Sequence, residues 1–328
     1  KKKFMEENTE QRVDLTLFSE KIQELKDRIA SVIVGQEQTV DLVLTAILAN
    51  GHVLIEGVPG VAKTLLARLT ARLIDADFSR VQFTPDLMPS DVLGTTVFNM
   101  KTNGFDFHQG PIFADIVLVD EINRAPAKTQ AALFEVMEER QISIDGTTHR
   151  MGDLYTILAT QNPVEQEGTY KLPEAQLDRF LMKITMDYPS LEEEVNILER
   201  HHTNAALVKL GDITPAITKE ELLSLRAFMN QVFVDRTLLQ YIALIVQQTR
   251  TSKAVYLGAS PRASVAMLQS SKAYALLQGR DFVTPEDIKF VAPYVLQHRL
   301  ILTAEAEMEG YSPVKVTQRL IDKVEVPK

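Results

Sequence analysis

The 328-residue sequence contains no cysteine and no tryptophan. Without thiols there is no disulfide, no thiolate metal site and no cysteine nucleophile, and such a chain suits a reducing compartment such as the cytoplasm. There is also no run of about 18 uninterrupted apolar residues, the length a membrane-spanning helix requires. The nearest stretch, LVLTAILANGHVLIEGV, is broken by Asn50, Gly51, His52 and Glu56. The charged start KKKFMEENTE has no apolar segment behind it of the kind a secretory signal carries. Residues 1–13 therefore read as a disordered tail. Positive charge is scarce: 44 acidic side chains outnumber 35 basic ones, for a net charge of −9. The chain as a whole does not attract nucleic acid. The six histidines show no metal-ligand spacing. The adjacent pair His201–His202 would project about 100° apart on a helix and cannot chelate.

What is present suits a folded protein with a large core: 45% of residues are apolar and 24% charged. DLTLFSEKIQELKDRIA (14–30) puts apolar Leu17, Ile22, Leu25 and Ile29 at roughly helical spacing and reads as an amphipathic helix. IVGQEQTVDLVLTAILANG reads as a second helix that stops at Asn50-Gly51. HVLIEG, FSRVQFT, DIVLVDE and YTILATQ then read as strands, with the helical runs KTLLARLTARLI and AKTQAALFEVMEER between them. Strands alternating with helices predict a parallel sheet covered on both faces. Two hairpins interrupt the rhythm, one at Asn103-Gly104 and one at Asp145-Gly146. Beyond about residue 190 helix follows helix to about residue 300. One of these opens at VTPEDI, with Thr284 as N-cap, Pro285 in the first helical position and Asp287 facing the cap. The expected layout is an α/β core over residues 14–190 and an all-α lid over residues 191–328.

GVPGVAKT (Gly57–Thr64) lies after a buried strand and at the start of a helix. That is the context in which the pattern G-x-x-x-x-G-K-[ST] folds into a phosphate-binding loop. Backbone N–H groups of Gly57, Val58, Pro59, Gly60, Val61 and Ala62, where not proline, would turn inward, and the helix from Lys63 through Leu65 adds its dipole. Lys63 would reach the β- and γ-phosphates of ATP, and the Thr64 hydroxyl would ligate Mg²⁺. Ala62 stands where the pattern has glycine; one methyl obstructs little provided φ stays negative there, so the loop survives if the second glycine serves close approach more than a positive φ. DIVLVDE brings Asp120 and Glu121 to the C-terminal edge of the sheet, where ligands of open α/β sheets bind. Asp120 would hold Mg²⁺ through its water shell, and Glu121 would orient and activate the attacking water. YTILATQNP brings Asn162 to the same edge to hold that water or the γ-phosphate.

With these strand ends together, the chain resembles the AAA+ ATPases, and within them the MoxR family of the helix-2-insert clade. The resemblance rests on GVPGVAKT, VDEINRAPAKTQAALFEVMEE, ATQNPVEQEGTYKLPEAQLDRF, GASPRAS, GQEQ and VTPEDI, and spans roughly residues 14 to 325. The family's loop is similar to GVPGLAKT, so Ala62 is a family trait. The resemblance implies a P-loop core with an all-α lid, ATP hydrolysis, and rings, commonly hexamers, with nucleotide between neighbouring subunits. By motif position Arg179 in LDRF is the arginine that reaches the neighbour's nucleotide. A salt bridge with Asp178 or Glu174 is its alternative use. Arg124 in EINRAP is a second candidate for such a contact. Arg262 in GASPRAS would read the γ-phosphate of its own or a neighbour's nucleotide, with Ser260 capping its helix and Pro261 opening it. Val34 and Gly35 would line the adenine pocket. The hairpins would face the ring's pore or top, with Phe98, Phe105 and Phe107 as contacts or as packing against the sheet.

The implied function is chaperone-like: ATP hydrolysis that remodels or matures a separate protein with a von Willebrand factor A domain, with metal insertion as one outcome. A magnesium-chelatase-like subunit, a nucleic-acid motor and a nucleotide-gated scaffold are the alternatives. The last fits poorly with the presence of Lys63, Asp120, Glu121 and Asn162 together.

Overall fold

The computed structural model describes residues 15–163, 169–170, 172–203 and 213–327. The tail assigned to residues 1–13, and residues 164–168 and 171 of the segment ATQNPVEQEGTYKLPEAQLDRF, lie outside the described residues. Helices α1 (Leu15–Val32) and α2 (Glu37–Leu48) precede β1 (Val53–Gly57), α3 (Lys63–Leu73), β2 (Phe78–Gln82) and the short α4 (Pro89–Leu93). The hairpin β3 (Gly94–Asn99)–β4 (Gly104–Gln109) leads to β5 (Ile116–Asp120) and α5 (Ala127–Glu139). A second hairpin, β6 (Gln141–Ile144)–β7 (Thr147–Arg150), precedes β8 (Thr156–Gln161), α6 (Glu174–Leu177) and β9 (Met182–Met186).

Strands β1, β2, β5, β8 and β9 form one parallel sheet in the order β2-β5-β8-β1-β9. The central strands are buried along almost their whole length and apolar apart from threonines and their C-terminal ends, as suits a parallel sheet covered on both faces. Alternate residues serve opposite faces. Val53, Ile55, Ile116, Leu118 and Leu158 join Leu66 and Leu69 of α3 in one core, and Leu54, Val117, Val119, Ile157 and Ala159 join Leu133 and Phe134 of α5 in the other. Four of the five strands follow the sequence pattern, and β9 does not appear in it. Its buried Met182, Ile184 and Met186 alternate with Lys183 and Thr185, a half-exposed edge pattern too short to stand out.

The two hairpins are present but differ. Asp145 and Gly146 form a two-residue turn with φ of 49° and 78°, the left-handed pair that such a turn demands. Asn103-Gly104 is not itself the turn; Asn99 pairs with Gly104 across a four-residue loop. Phe107 packs, 4.3 Å from the His149 ring of the other hairpin and 5.9 Å from Phe113. Phe98 and Phe105 contact each other at 5.3 Å, and with Met100 they stay exposed at the hairpin's far end.

The described residues beyond β9 are mainly helical: α7 (Leu191–His202), α8 (Lys219–Phe228), α9 (Arg236–Thr251), α10 (Pro261–Leu277), α11 (Pro285–Leu296), α12 (Ala304–Met308) and α13 (Pro313–Lys323). A small antiparallel ladder, β10 (Val255–Leu257) with β11 (Ile301–Leu302), interrupts the helices. Caps set the helix starts: Ser190 with Glu193, Thr218 with Glu221, and Thr284 with Asp287 form reciprocal pairs. Ser260 occupies the cap position of α10, but its hydroxyl makes no capping hydrogen bond. Helix α2 is almost wholly buried, between β9 and α10, so the N-terminal helices bind the sheet to the lid.

Candidate nucleotide site

The loop joins β1 to α3, and its backbone explains its residues one by one. Gly57 ends β1; a Cβ there would lie 2.7 Å from the Met186 carbonyl oxygen, so close approach to β9 requires glycine. Gly60 has φ of 88° and open space around it, so its dihedral is what requires glycine. Ala62 corrects the sequence reading: φ is 62° and ψ 21°, left-handed rather than negative. The second glycine of the general pattern therefore does serve a positive φ. Alanine accepts that conformation at a cost of about 1 kcal/mol. Val61 is buried beneath the loop, Val58 is half-buried and Pro59 exposed. Lys63 opens α3, followed by the half-buried Thr64 and Leu65. Lys63 Nζ donates to the carbonyls of Gly57 and, at 3.3 Å, Val58. Partial burial holds its ammonium below the ordinary lysine value, while Asp120 and Glu121 pull it back up. Both carboxylates therefore face the same small region as the lysine.

Asp120 is buried at the end of β5. Its Oδ1 accepts from the Thr160 hydroxyl at 3.0 Å and its Oδ2 from Arg80 Nε at 2.6 Å. The Thr160 oxygen in turn accepts from the Glu121 N–H at 3.0 Å. Thr160 thus ties both acidic positions together, a role not read from the sequence. It lies two residues before Asn162, hence on the same side of β8, and that spacing was the available signal. Arg80 was also missed. Glu121 has φ of 57° and its carboxylate takes Arg124 Nη1 at 3.0 Å. Arg124 therefore sits with its own chain's loop edge. Asn162 follows β8 directly and is buried; since Glu56 pairs with Gln161, it lies level with Gly57.

Val34 and Gly35 lie in the turn between α1 and α2. Gly35 has φ of 72°, and a Cβ there would collide with the Glu193 carboxyl at 2.3 Å. Glu193 belongs to the first turn of α7, shortly after Met186, the residue that backs Gly57. The Val34–Gly35 turn therefore meets the chain just beyond the β9 side of the loop.

The remaining two arginines lie elsewhere. Arg179 Nη2 pairs with Glu138 Oε2 at 2.8 Å, and Arg262 Nη2 with Glu138 Oε1 at 3.4 Å. Asp178, the alternative partner of Arg179, is instead taken by Arg299 at 2.7 Å. Glu138 is near the end of α5, which returns to the N-terminal edge of the sheet. There His52, one residue before β1, is 3.1 Å from the carbonyl of Met137. Arg179 precedes β9, whose Met182 pairs with Val53, while the loop begins at Gly57 opposite Met186. Four residue steps of about 3.3 Å separate those levels, roughly 13 Å along the strand. Arg179 and Arg262 thus meet on one carboxylate at the sheet edge opposite their own chain's loop.

A parallel five-stranded sheet, a loop between β1 and a helix, paired carboxylates and a helical lid define a P-loop ATPase of the AAA class. The family described as "ATPase family associated with various cellular activities (AAA)" matches residues 52–182, and the AAA lid domain matches residues 247–322. A crystal structure of a candidate ATPase from Cytophaga hutchinsonii superposes with a TM-score of 0.88 at 40% identity, over 96% of this chain and 97% of that one. Chaperone MoxR1 of Mycobacterium tuberculosis is 44% identical over 92% of this chain and 81% of its own length. The protein MoxR of Methylorubrum extorquens is 31% identical over 85% of this chain and 87% of its own. YeaC of Bacillus subtilis is 47% identical over 92% and 93%. The chain belongs to the MoxR family of AAA+ ATPases.

Proposed function

We propose that this protein hydrolyses ATP in a ring of identical subunits, with each site shared between two copies, and uses the cycle to remodel a partner protein. One observation carries the shared site: Arg179 and Arg262 converge on Glu138 at the edge opposite the loop. An arginine on that edge cannot reach its own chain's γ-phosphate, whereas a head-to-tail neighbour brings it to the next loop. On this reading both arginines act in trans, and Arg124 stays with Glu121 in its own half of the site. A half-exposed ion pair is worth at most about 1 kcal/mol, so Glu138 releases both arginines readily.

In the other half, the loop N–H groups and Lys63 bind the phosphates. Thr64 and Asp120 fit Mg²⁺, a hydroxyl and a carboxylate being the sparse donor set of an ion that keeps its waters and phosphate ligands. Bound there, Mg²⁺ would neutralise phosphate charge. Glu121 orients and deprotonates the attacking water, Asn162 holds it, and Val34 and Gly35 flank the base. For domain limits we take residues 14–190 as core and 191–328 as lid, and for ring size a hexamer.

The partner we favour is a separate protein with a von Willebrand factor A domain, engaged in the cytoplasm. The β3–β4 hairpin is the contact this reading assigns, because Phe105 and Met100 are 74% and 89% exposed at its end. No observation favours a chelatase-like subunit or a nucleic-acid motor over this. Among the described residues no helix is long and apolar enough to cross a membrane. The test is Mg²⁺-ATPase activity per subunit as a function of protein concentration. Assembly-dependent sites predict a rise with concentration, and a constant rate down to the monomer would exclude sharing.

A further inference from the structure

The segment that carries Arg179 is held by the lid. Arg299, just beyond α11, has a side chain only 4% exposed. It donates from Nε to Asp178 Oδ1 at 2.7 Å, and from Nη2 to the carbonyls of Asp178 at 3.2 Å and Phe180 at 2.7 Å. Nη1 donates to the carbonyl of Leu181 at 3.1 Å and to that of Val295 on its own helix. The two residues before it do the same work. His298 Nε2 donates to the carbonyl of Phe180 at 3.0 Å, and Gln297 to that of Lys183. Three consecutive lid residues thus grip the chain on both sides of Arg179.

The grip extends to the other arginine. Helix α11 packs on both β9 and α10, the helix whose second residue is Arg262. Asp178, Arg299 and Ser260, the residue leading into α10, line one cavity of about 500–600 Å³ at this seam (≈ 580 Å³). Both arginines therefore project from a single body made of the lid and the start of β9. Their own partner, Glu138, is weakly held by comparison: its side chain is 40% exposed, and among the described residues its ion pairs are those with these two cations.

We propose that Arg299 is a positioning residue for Arg179: from the lid it fixes the main chain that presents the arginine to the neighbouring copy. It touches no substrate. It acts because three hydrogen bonds to main-chain carbonyls and one to the Asp178 carboxylate leave the 178–181 segment one conformation, while a fifth ties the guanidinium to Val295. This rests on the reading that Arg179 serves a neighbour's site.

Complementation between two inactive variants tests it. Lys63→Ala lacks a working loop but keeps its arginines; Arg299→Met keeps its loop and, on this proposal, presents Arg179 badly. Alone, Arg299→Met should lose about 100-fold in kcat, the penalty of roughly 1 Å of misplacement, with the KM for ATP unchanged. Mixed at equal amounts, the two variants should recover about one quarter of the wild-type rate, since about one interface in four pairs an intact loop with an intact arginine. Arg299→Lys, which keeps the charge but not the fork, should fall between. Arg179→Ala mixed with Lys63→Ala runs in parallel. If that pair recovers while the Arg299→Met pair does not, the loss lies in the Arg299→Met subunit's own loop site, and the proposal is overturned with the shared site intact. If neither pair recovers, the shared-site reading falls and takes the proposal with it. Should Arg299→Met not yield folded protein, Asp178→Ala replaces it, removing the side-chain bond while the carbonyls keep Arg299 buried.

Discussion

The two edges of the central sheet are built from the same kinds of residue in opposite ways. At the C-terminal edge, charges are loosely committed: Lys63 rests on carbonyls of its own loop, and Asp120 and Glu121 take Arg80 and Arg124. Left-handed backbone does not separate the edges: Ala62 and Glu121 hold it here, and Asn50, Asp75 and Arg140 hold it at the other. At the N-terminal edge, most polar groups are buried and fixed to main chain. Arg140 donates to the carbonyls of Asn50 and Tyr155, and Arg226 to those of Ile47 and Asp153. His52 accepts from the Ile157 N–H at 3.0 Å, so its other nitrogen carries the proton and donates to Met137. Three cations depart from that pattern among the described residues: Lys219 pairs with the buried Asp115, and Arg179 and Arg262 share a half-exposed carboxylate. A rigid edge that leaves two arginines releasable is suited to presenting them to another molecule. An edge whose charges face an open loop is suited to receiving phosphates.

The sharpest way to break this contrast is to delete the two arginines. Arg179→Ala should lower kcat by about 10³–10⁵-fold with ATP affinity retained. Arg262→Ala should cost about 10²–10³-fold, as for one lost transition-state donor. Steady-state kinetics with a separate nucleotide-binding titration distinguishes these from loss of binding. A large fall in affinity for either variant would place that arginine in its own chain's pocket.

The fixed edge is tested by pH. Burial pushes the His52 pKa down to about 3, with the nearby Arg140 acting in the same direction. The unfolded chain binds the proton near pH 6.5 and the folded chain does not, so this stabilising contribution is complete above about pH 6.5. It is lost progressively as pH falls from there towards 3. Urea midpoints measured across that range should decline less steeply in His52→Gln than in the unsubstituted protein. Equal slopes would mean that His52 is not the group responsible.

Smaller effects separate the two kinds of arginine. Glu138→Gln removes only a half-exposed pair, so stability should change by less than about 1 kcal/mol and ATPase activity should not fall. A marked loss of activity would make Glu138 part of the working site rather than a resting partner. Smallest of all, Ala62→Gly relieves the left-handed backbone but gives the unfolded chain more freedom. The net gain should be no more than about 1 kcal/mol, with turnover retained. A loss of stability in denaturant titrations would show that the Ala62 methyl contributes packing that outweighs its strain.

How much of this was legible beforehand follows the same division. Lys63, Thr64, Asp120, Glu121 and Asn162 were readable because fixed spacing after a strand puts each at one sheet edge. The conformation of Ala62 was not, since an alanine does not announce a positive φ. Strand β9 escaped because five alternating residues at a sheet edge look like many loops. Glu138 looked like any helix-surface glutamate. Its role depends on Arg262 arriving from 124 residues away, and Arg299 reaches Asp178 across 121. Such partnerships are set by how the lid docks, which local pattern does not encode.

The central claim is that one working site is divided between two copies of the chain. Its most direct test is the ATPase activity of Lys63→Ala and Arg179→Ala proteins, each inactive alone, after they are mixed and allowed to reassemble. A divided site predicts recovery to about one quarter of the wild-type rate. A mixture that stays at background, although both variants assemble and Arg179→Ala binds ATP, would contradict it.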